Sequence, residues 1–189
     1  MRFKRSSIYA LALSAICAAA QPAPPRHTLD VPYLPTTPEA VTAMLKMANV
    51  SATDVLYDLG CGDGRIVIAA AKTYGAHAVG VDLDPDRIME ARQNAKKAGV
   101  ENLVRFDEKD LFQADIHEAS VVTLFLLSSV NMRLRPKLLQ ELKPGTRVVS
   151  NTFLMGDWKP ERETTVGQPS LGDFSRQLYL WIVPFPRGK

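Results

Sequence analysis

Between Val55 and Arg65 the chain reads V-L-Y-D-L-G-C-G-D-G-R, an apolar stretch closed by an aspartate and followed by glycines at alternate positions. Those residue types in that order describe a ligand cradle. The apolar stretch suits a buried strand, glycine admits φ > 0 and close ligand approach, and the first amides of a following helix point at whatever binds. The spacing narrows the ligand. A pyrophosphate cradle uses G-x-G-x-x-G, whereas Gly60, Gly62 and Gly64 form G-x-G-x-G. Asp58 stands just ahead of them, where a carboxylate repels phosphate and attracts an ammonium group. A second acid follows, because A-V-G-V at Ala78–Val81 ends at Asp82, about where an acidic residue meets ribose hydroxyls in nucleotide-binding α/β folds. The pair selects a nucleoside that is cationic and unphosphorylated.

The elements that must position these groups alternate along the chain. Thr36 with Glu39 can form a capping box, Pro38 suits the first turn, and the helix runs to about Ala48. A strand at Val55–Asp58 leads into a helix from Gly64 to Tyr74 that stops at Gly75, and a second strand spans Ala78–Asp82. Asp84 caps the next helix, with Pro85 in its first turn, Gly99 at its end and Ile88, Ala91, Ala95 and Ala98 on one face. Leu103–Phe106 is a third strand, and the unbroken apolar run Val121–Leu127 is a central parallel strand. Val130–Leu142 is helical with a break or kink at Pro136. R-V-V-S-N-T-F follows, then a last pair of strands at Arg162–Val166 and Gln177–Val183. Alternating strands and helices predict a doubly wound α/β sheet.

The totals fit one domain of 189 residues, and its charge misleads. Arg2, Lys4 and Arg5 precede the apolar run Ile8–Ala20 with its A-x-A ending, which reads as an export signal over residues 1–20, too short for an ordinary span. Without those three the 23 basic residues become 20, against 20 acidic ones. The mature domain is then neutral and offers nucleic acid no basic surface. Cleavage near Ala20 is the expectation, with an uncleaved anchor as the alternative; the location is exported or periplasmic, or else cytoplasmic or membrane-anchored. Cleavage leaves Cys61 alone, so no intrachain disulfide forms. Residues 21–31 are a proline-rich linker, and the folded domain spans residues 32–189.

S-adenosylmethionine carries an ammonium, a sulfonium and no phosphate, and at its glycine motif the chain resembles the class I S-adenosylmethionine-dependent methyltransferases. That resemblance implies a mostly parallel seven-stranded sheet whose last strand inserts antiparallel. P-Y-L-P-T at Pro32–Thr36, D-L-G-C-G-D-G-R-I-V at Asp58–Val67, G-V-D-L-D-P at Gly80–Pro85, D-L-F at Asp110–Phe112 and the run Leu134–Ser150 narrow it further. They are similar to the small protein-lysine methyltransferases that include the mitochondrial enzymes acting on the ATP synthase c-subunit and the adenine nucleotide translocase. By this resemblance Tyr33–Thr36 close over the cofactor and Tyr33 orients the acceptor amine. Asp58, Gly60, Gly62 and Gly64 hold the methionine part, Asp82 with Leu83 beside it the ribose, and Asp110 with Leu111 the adenine. Asp110 read from its position alone is equally a helix cap.

Two departures bear on the substrate. Leu127, Ser128, Ser129 and Val130 stand where many nucleobase and glutamine methyltransferases carry an N-P-P-Y-type grip on a planar amine. Ser150–Phe153 reads S-N-T-F where the family has an S-H-D-F-like run, so a polar contact to the substrate is expected to be missing. The expected activity is methyl transfer to an amine, foremost a protein lysine; a small-molecule or lipid acceptor and a non-catalytic cofactor-binding protein are the alternatives. A nicotinamide dehydrogenase fits the glycine spacing poorly. Cys61 reads as a small filler between glycines, and His27, His77 and His117 lack ligand spacing, so no metal is expected. Trp158 and Trp181 read as core or lid residues, and Lys96 and Lys97 as a solvated helix face.

Overall fold

Apolar residues on both faces of the central strands require helices or packed loops on both sides. The computed structural model describes residues 34–167 and 175–185; the leader, the linker and Tyr33 lie outside the described residues. Strands β1 (Val55–Leu59), β2 (His77–Asp82), β3 (Val104–Glu108), β4 (Val121–Leu124) and β5 (Arg147–Asn151) are parallel. Strands β6 (Arg162–Val166) and β7 (Arg176–Ile182) complete a seven-stranded sheet ordered β3-β2-β1-β4-β5-β7-β6, with β7 antiparallel to both neighbours. The order reverses between β1 and β4, the switch point where open α/β sheets hold ligands.

Helices α1 (Pro38–Met47), α2 (Arg65–Tyr74) and α3 (Pro85–Ala98) share one apolar core through Met44, Leu45, Ile66, Val67, Ile88 and Ala91. Helix α4 (Ser128–Glu141) covers the other face through Val130, Leu134 and Leu138, together with Trp181 and Met155. No helix joins β3 to β4. Ala114, Ile116 and Ala119 of that connection bury themselves against the sheet in its place. Trp181 is fully buried and donates from Nε1 to the Trp158 carbonyl (2.7 Å), so both tryptophans are packing residues. Lys96 and Lys97 are exposed. No helix among the described residues is long and apolar enough to cross a membrane.

Four local expectations change. The cap of α1 is Thr37, whose hydroxyl accepts from the Ala40 amide (3.3 Å), because Pro38 takes the first helical position. Thr36 is buried instead. Strand β3 starts a residue later and runs on to Glu108, following β2 as far as Asp82. Strand β4 stops at Leu124, level with Leu59 where β1 ends and one residue short of the end of β5. Phe125 to Leu127 therefore leave the sheet. Helix α4 runs unbroken through Pro136. Pro136 and Met132, whose carbonyl loses its amide partner, are both exposed, so water can take the missing bond's place.

Asp54 fastens the strand ends opposite the glycine motif. Its carboxylate accepts from the Ser51 amide (2.8 Å) and the Ser120 hydroxyl (2.7 Å) and pairs with Arg147, which also donates to the Ala48 carbonyl (2.8 Å). One acid thus joins the starts of β1, β4 and β5. Burial alone would raise its pKa; the hydroxyl, the amide and the guanidinium outweigh burial and hold it below the usual carboxylate range. Asp54→Ala strands a half-buried guanidinium, and urea unfolding is expected to show a loss of about 3–5 kcal/mol.

Candidate active site

Three strand ends converge on one cavity at the switch point. Asp58, beside Gly80 on β2 and Thr123 on β4, is buried, and the Thr123 hydroxyl donates to its Oδ1 (2.7 Å). The chain then turns sharply. The Gly60 and Cys61 amides both donate to the Val81 carbonyl (2.8 and 3.0 Å), folding the loop across the end of β2. Gly60 has φ +85°, and a Cβ there would meet Leu126 Cδ2 at 2.9 Å. A side chain there would strain the left-handed backbone and push the Leu126 methyl aside.

Asp82 is held from two sides. Its Oδ2 accepts from the Gly62 amide (2.8 Å) and its Oδ1 from the Asp84 amide (3.0 Å), which fixes the carboxylate plane beneath the loop. Asp110 Oδ1 accepts from the Phe112 amide (2.9 Å), so this acid both caps a turn and faces the cavity. Asp63 grips Arg65 through both carboxylate oxygens, and Arg65 Nη1 donates to the Thr36 carbonyl (2.7 Å). That bond ties residues 34–36 to the glycine loop as one wall.

The cavity encloses about 270 Å³. Asp58, Gly60, Gly62, Asp82, Leu83, Asp110 and Leu111 line it, with Leu34, Thr36, Phe125, Leu126 and Val130 closing its apolar side. Gly64 is not among the residues that line it. Gly64 caps α2, and a Cβ there would meet Phe106 at 2.7 Å and Ala91 at 2.9 Å, so its role is helix-to-strand packing. Tyr33 lies outside the described residues. Asn151 is fully buried, its Oδ1 accepting from the Thr152 hydroxyl (2.9 Å), and it stands outside the cavity lining. Burial pushes the Cys61 thiol far above its ordinary range, consistent with a filler. His117 does approach Asp115 and Glu141, their ligand atoms within 4.8 Å of one another, a grouping that chain spacing hides. Both Glu141 oxygens already accept from Lys137 (2.7 Å), and the group is largely exposed, so no ion is assigned there.

Sequence reading passed over three contributors. Thr123 sits unmarked inside V-V-T-L, Gly80 inside A-V-G-V, and Phe125 inside an apolar run. A Cβ on Gly80 would meet Phe106 at 2.7 Å and the Cys61 sulfur at 2.8 Å, so glycine there lets the loop lie flat on β2. A polar residue inside a fully apolar run was the one available signal for Thr123.

The electrostatics give the site its character. Burial raises the Asp58 pKa to about 7; Asp82 and Asp63 push the same way, and only the Thr123 hydroxyl opposes them. Arg65, Arg87, Lys109 and Arg133 also line the cavity, but among the described residues no cation acts on Asp58 itself, and a bound cation would restore its charge. A cavity with a buried acid beneath a glycine loop and an apolar wall suits a ligand that brings a cation to that acid and apolar surface beside it.

The comparisons with known proteins agree with that geometry. A family model described as the ANTKMT methyltransferase domain matches residues 58–162. A protein-lysine N-methyltransferase of Saccharolobus islandicus is 47% identical over 81% of this chain and 94% of its own length. The ATP synthase c-subunit lysine N-methyltransferase of Xenopus laevis is 38% identical over 79% of this chain, which spans 66% of that protein. A solved structure described as an RNA methyltransferase from Salinibacter ruber, in complex with S-adenosyl-L-homocysteine, is 52% identical. It superposes with a TM-score of 0.75 over 82% of this chain and 97% of its own.

The Asp58 carboxyl carries a testable cost to the fold. Its folded pKa, about 7, lies above the unfolded value near 3.8, so the native state holds the proton more tightly. This group's contribution to stability is therefore greatest in acid, falls as pH rises from about 4 to about 7, and levels off above, opposite in sign to that of Asp54. Asp58→Asn keeps an acceptor for Thr123 without the buried charge. Scanning calorimetry at pH 8 is expected to show its melting temperature raised by a few degrees in the ligand-free protein, with that pH slope removed.

Proposed function

The chain belongs to the family described as the ANTKMT methyltransferase domain, and on that premise we propose that it transfers the methyl group of S-adenosylmethionine to the ε-amine of a protein lysine. The observation that carries the cofactor assignment is the buried, unpaired carboxylate of Asp58 lining the cavity beneath the bend at Gly60. The residues present fit this cofactor. Asp58, Gly60 and Gly62 would hold its cationic methionine part, Asp82 and Leu83 the ribose, and Asp110 and Leu111 the adenine. The relatives' names, protein-lysine N-methyltransferase and ATP synthase c-subunit lysine N-methyltransferase, support a lysine acceptor.

When bound, S-adenosylmethionine supplies a methyl group on a positive sulfonium, which the acceptor nitrogen displaces in line. The chain's own residues orient and desolvate. Holding nucleophile and electrophile in line supplies much of the rate for such a displacement. Phe125, Leu126 and Leu111 present an apolar wall, and such surroundings lower the pKa of an entering lysine so that its neutral form is available.

A nucleic-acid acceptor is the second reading, favoured by the name RNA methyltransferase that the Salinibacter ruber protein carries. Leu127, Ser128, Ser129 and Val130 offer no planar-amine grip at the end of β4, which supports the lysine. Incubation with methyl-labelled cofactor and a whole-cell lysate separates them. Label on lysine residues by mass spectrometry is the expected result; label in RNA with none on protein would overturn the assignment.

Cofactor affinity has a signed pH dependence. Because the binding-competent Asp58 is ionised and its pKa is about 7, Kd is expected to be flat above that pH. Below it, Kd weakens by about tenfold per unit. Calorimetric titration across pH 5.5–8.5 checks this, and Asp58→Asn and Asp82→Asn should each weaken binding by at least about tenfold.

A further inference from the structure

Arg65 opens α2, and its side chain reaches back over the glycine loop to the segment ahead of α1. Its Nε and Nη2 donate to the two carboxylate oxygens of Asp63 (2.9 and 2.5 Å), a planar two-point grip that fixes the direction of the remaining nitrogen. That nitrogen, Nη1, donates to the Thr36 carbonyl (2.7 Å). Asp63 is itself anchored. It sits between Gly62 (φ +53°) and Gly64 (φ +79°), and its own carbonyl accepts from Asn94 Nδ2 on α3 (3.1 Å). A run of bonds thus passes from α3 through the loop and Arg65 to Thr36.

The receiving segment depends on that last bond. The Thr36 carbonyl lies outside the ladder of α1, whose first bond uses the Thr37 carbonyl, so the guanidinium satisfies a group that the helix leaves over. Pro35 and Pro38 have a fixed φ, and Thr37 ahead of Pro38 is extended (ψ 154°). One anchored carbonyl therefore places Leu34, Pro35 and Thr36 together. All three line the cavity, as do Asp63 and Arg65. Leu34 is 56% exposed, so core packing contributes little to holding it there.

We propose that Arg65 is a positioning residue, whose fork on Asp63 fixes residues 34–36 as the wall of the cavity that faces Phe125 and Leu126. The consequence for catalysis rests on the amine-methyltransfer reading above, which brings acceptor and methyl group together on this apolar side. Asp58 and Asp82 hold the cofactor independently of the wall. A displaced wall therefore costs alignment, and with it turnover, more than it costs cofactor affinity. The shape of the guanidinium matters as well as its charge, because a lysine ammonium cannot grip both Asp63 oxygens and reach Thr36 in fixed directions.

The test compares the full wild-type chain with Arg65→Ala and Arg65→Lys by hydrogen exchange followed by mass spectrometry. Amides of residues 34–37 are expected to exchange about tenfold faster in both variants, the loss of one charge-assisted bond, while α2 and β1 keep their protection. With methyl-labelled cofactor and a whole-cell lysate, the rate at saturating cofactor is expected to fall about tenfold, and half-saturation to move by no more than about threefold. Wild-type exchange at residues 34–37 in either variant, full rescue by Arg65→Lys, or a loss carried wholly by cofactor affinity would overturn the proposal. Arg65→Lys keeps the charge that balances Asp63, so the comparison stands even where Arg65→Ala unfolds. Label found in RNA alone would overturn the lysine reading, while the exchange comparison, which needs no acceptor, still decides the role of Arg65.

Discussion

A carboxylate buried without a cation is the constraint around which the rest of this molecule is organised. Asp58 is placed by β1, flanked by Thr123 and Gly80 on the adjacent strands, and covered by a loop whose left-handed bend at Gly60 disfavours any side chain. Left alone, the acid drifts toward neutrality, with a pKa of about 7. The fold therefore carries at its centre a charge whose cost a proton or a positive ligand relieves. A buried, perturbed acid in a cleft is a common mark of a working site, and here its cause can be named: burial first, negative neighbours second.

The surrounding architecture keeps that acid rigid rather than comfortable. The amides of Gly60 and Cys61 spend themselves on Val81, and Gly62 spends its own on Asp82, so the loop cannot swing in to neutralise Asp58. Arg65, the guanidinium nearest along the chain, is turned aside by Asp63 and the Thr36 carbonyl. At the opposite ends of the strands, Asp54 with Arg147 and Ser120 joins the starts of β1, β4 and β5. The two acids illustrate opposite outcomes of burial. Asp54 has a cation and three donors and stays ionised; Asp58 has one hydroxyl and does not.

Much of this was legible from residue order. The alternating elements, the glycine loop, Asp58, Asp82 and the caps at Asp84 and Gly99 are local patterns, and each lies where local rules put it. What could not be read came from pairing between distant segments. β4 ends level with the last residue of β1, so an apolar run of seven residues contributed four to the sheet and gave Phe125 and Leu126 to the cavity. Gly64 shares its motif with two lining glycines, yet the helix it caps turns it toward Phe106. The Arg65 bond to Thr36 spans 29 positions, and the contact of Phe125 with Phe153 depends on a left-handed threonine that no propensity favours.

The central claim is that Asp58 waits partly protonated and is ionised by its ligand. The most direct measurement is calorimetric titration of S-adenosylmethionine into the protein at pH 7, repeated in buffers of different ionisation enthalpy, which counts the protons exchanged on binding. With a pKa of about 7, release of roughly half a proton is predicted, disappearing in Asp58→Asn. Binding with no proton exchange, or the same exchange in both proteins, would contradict the account.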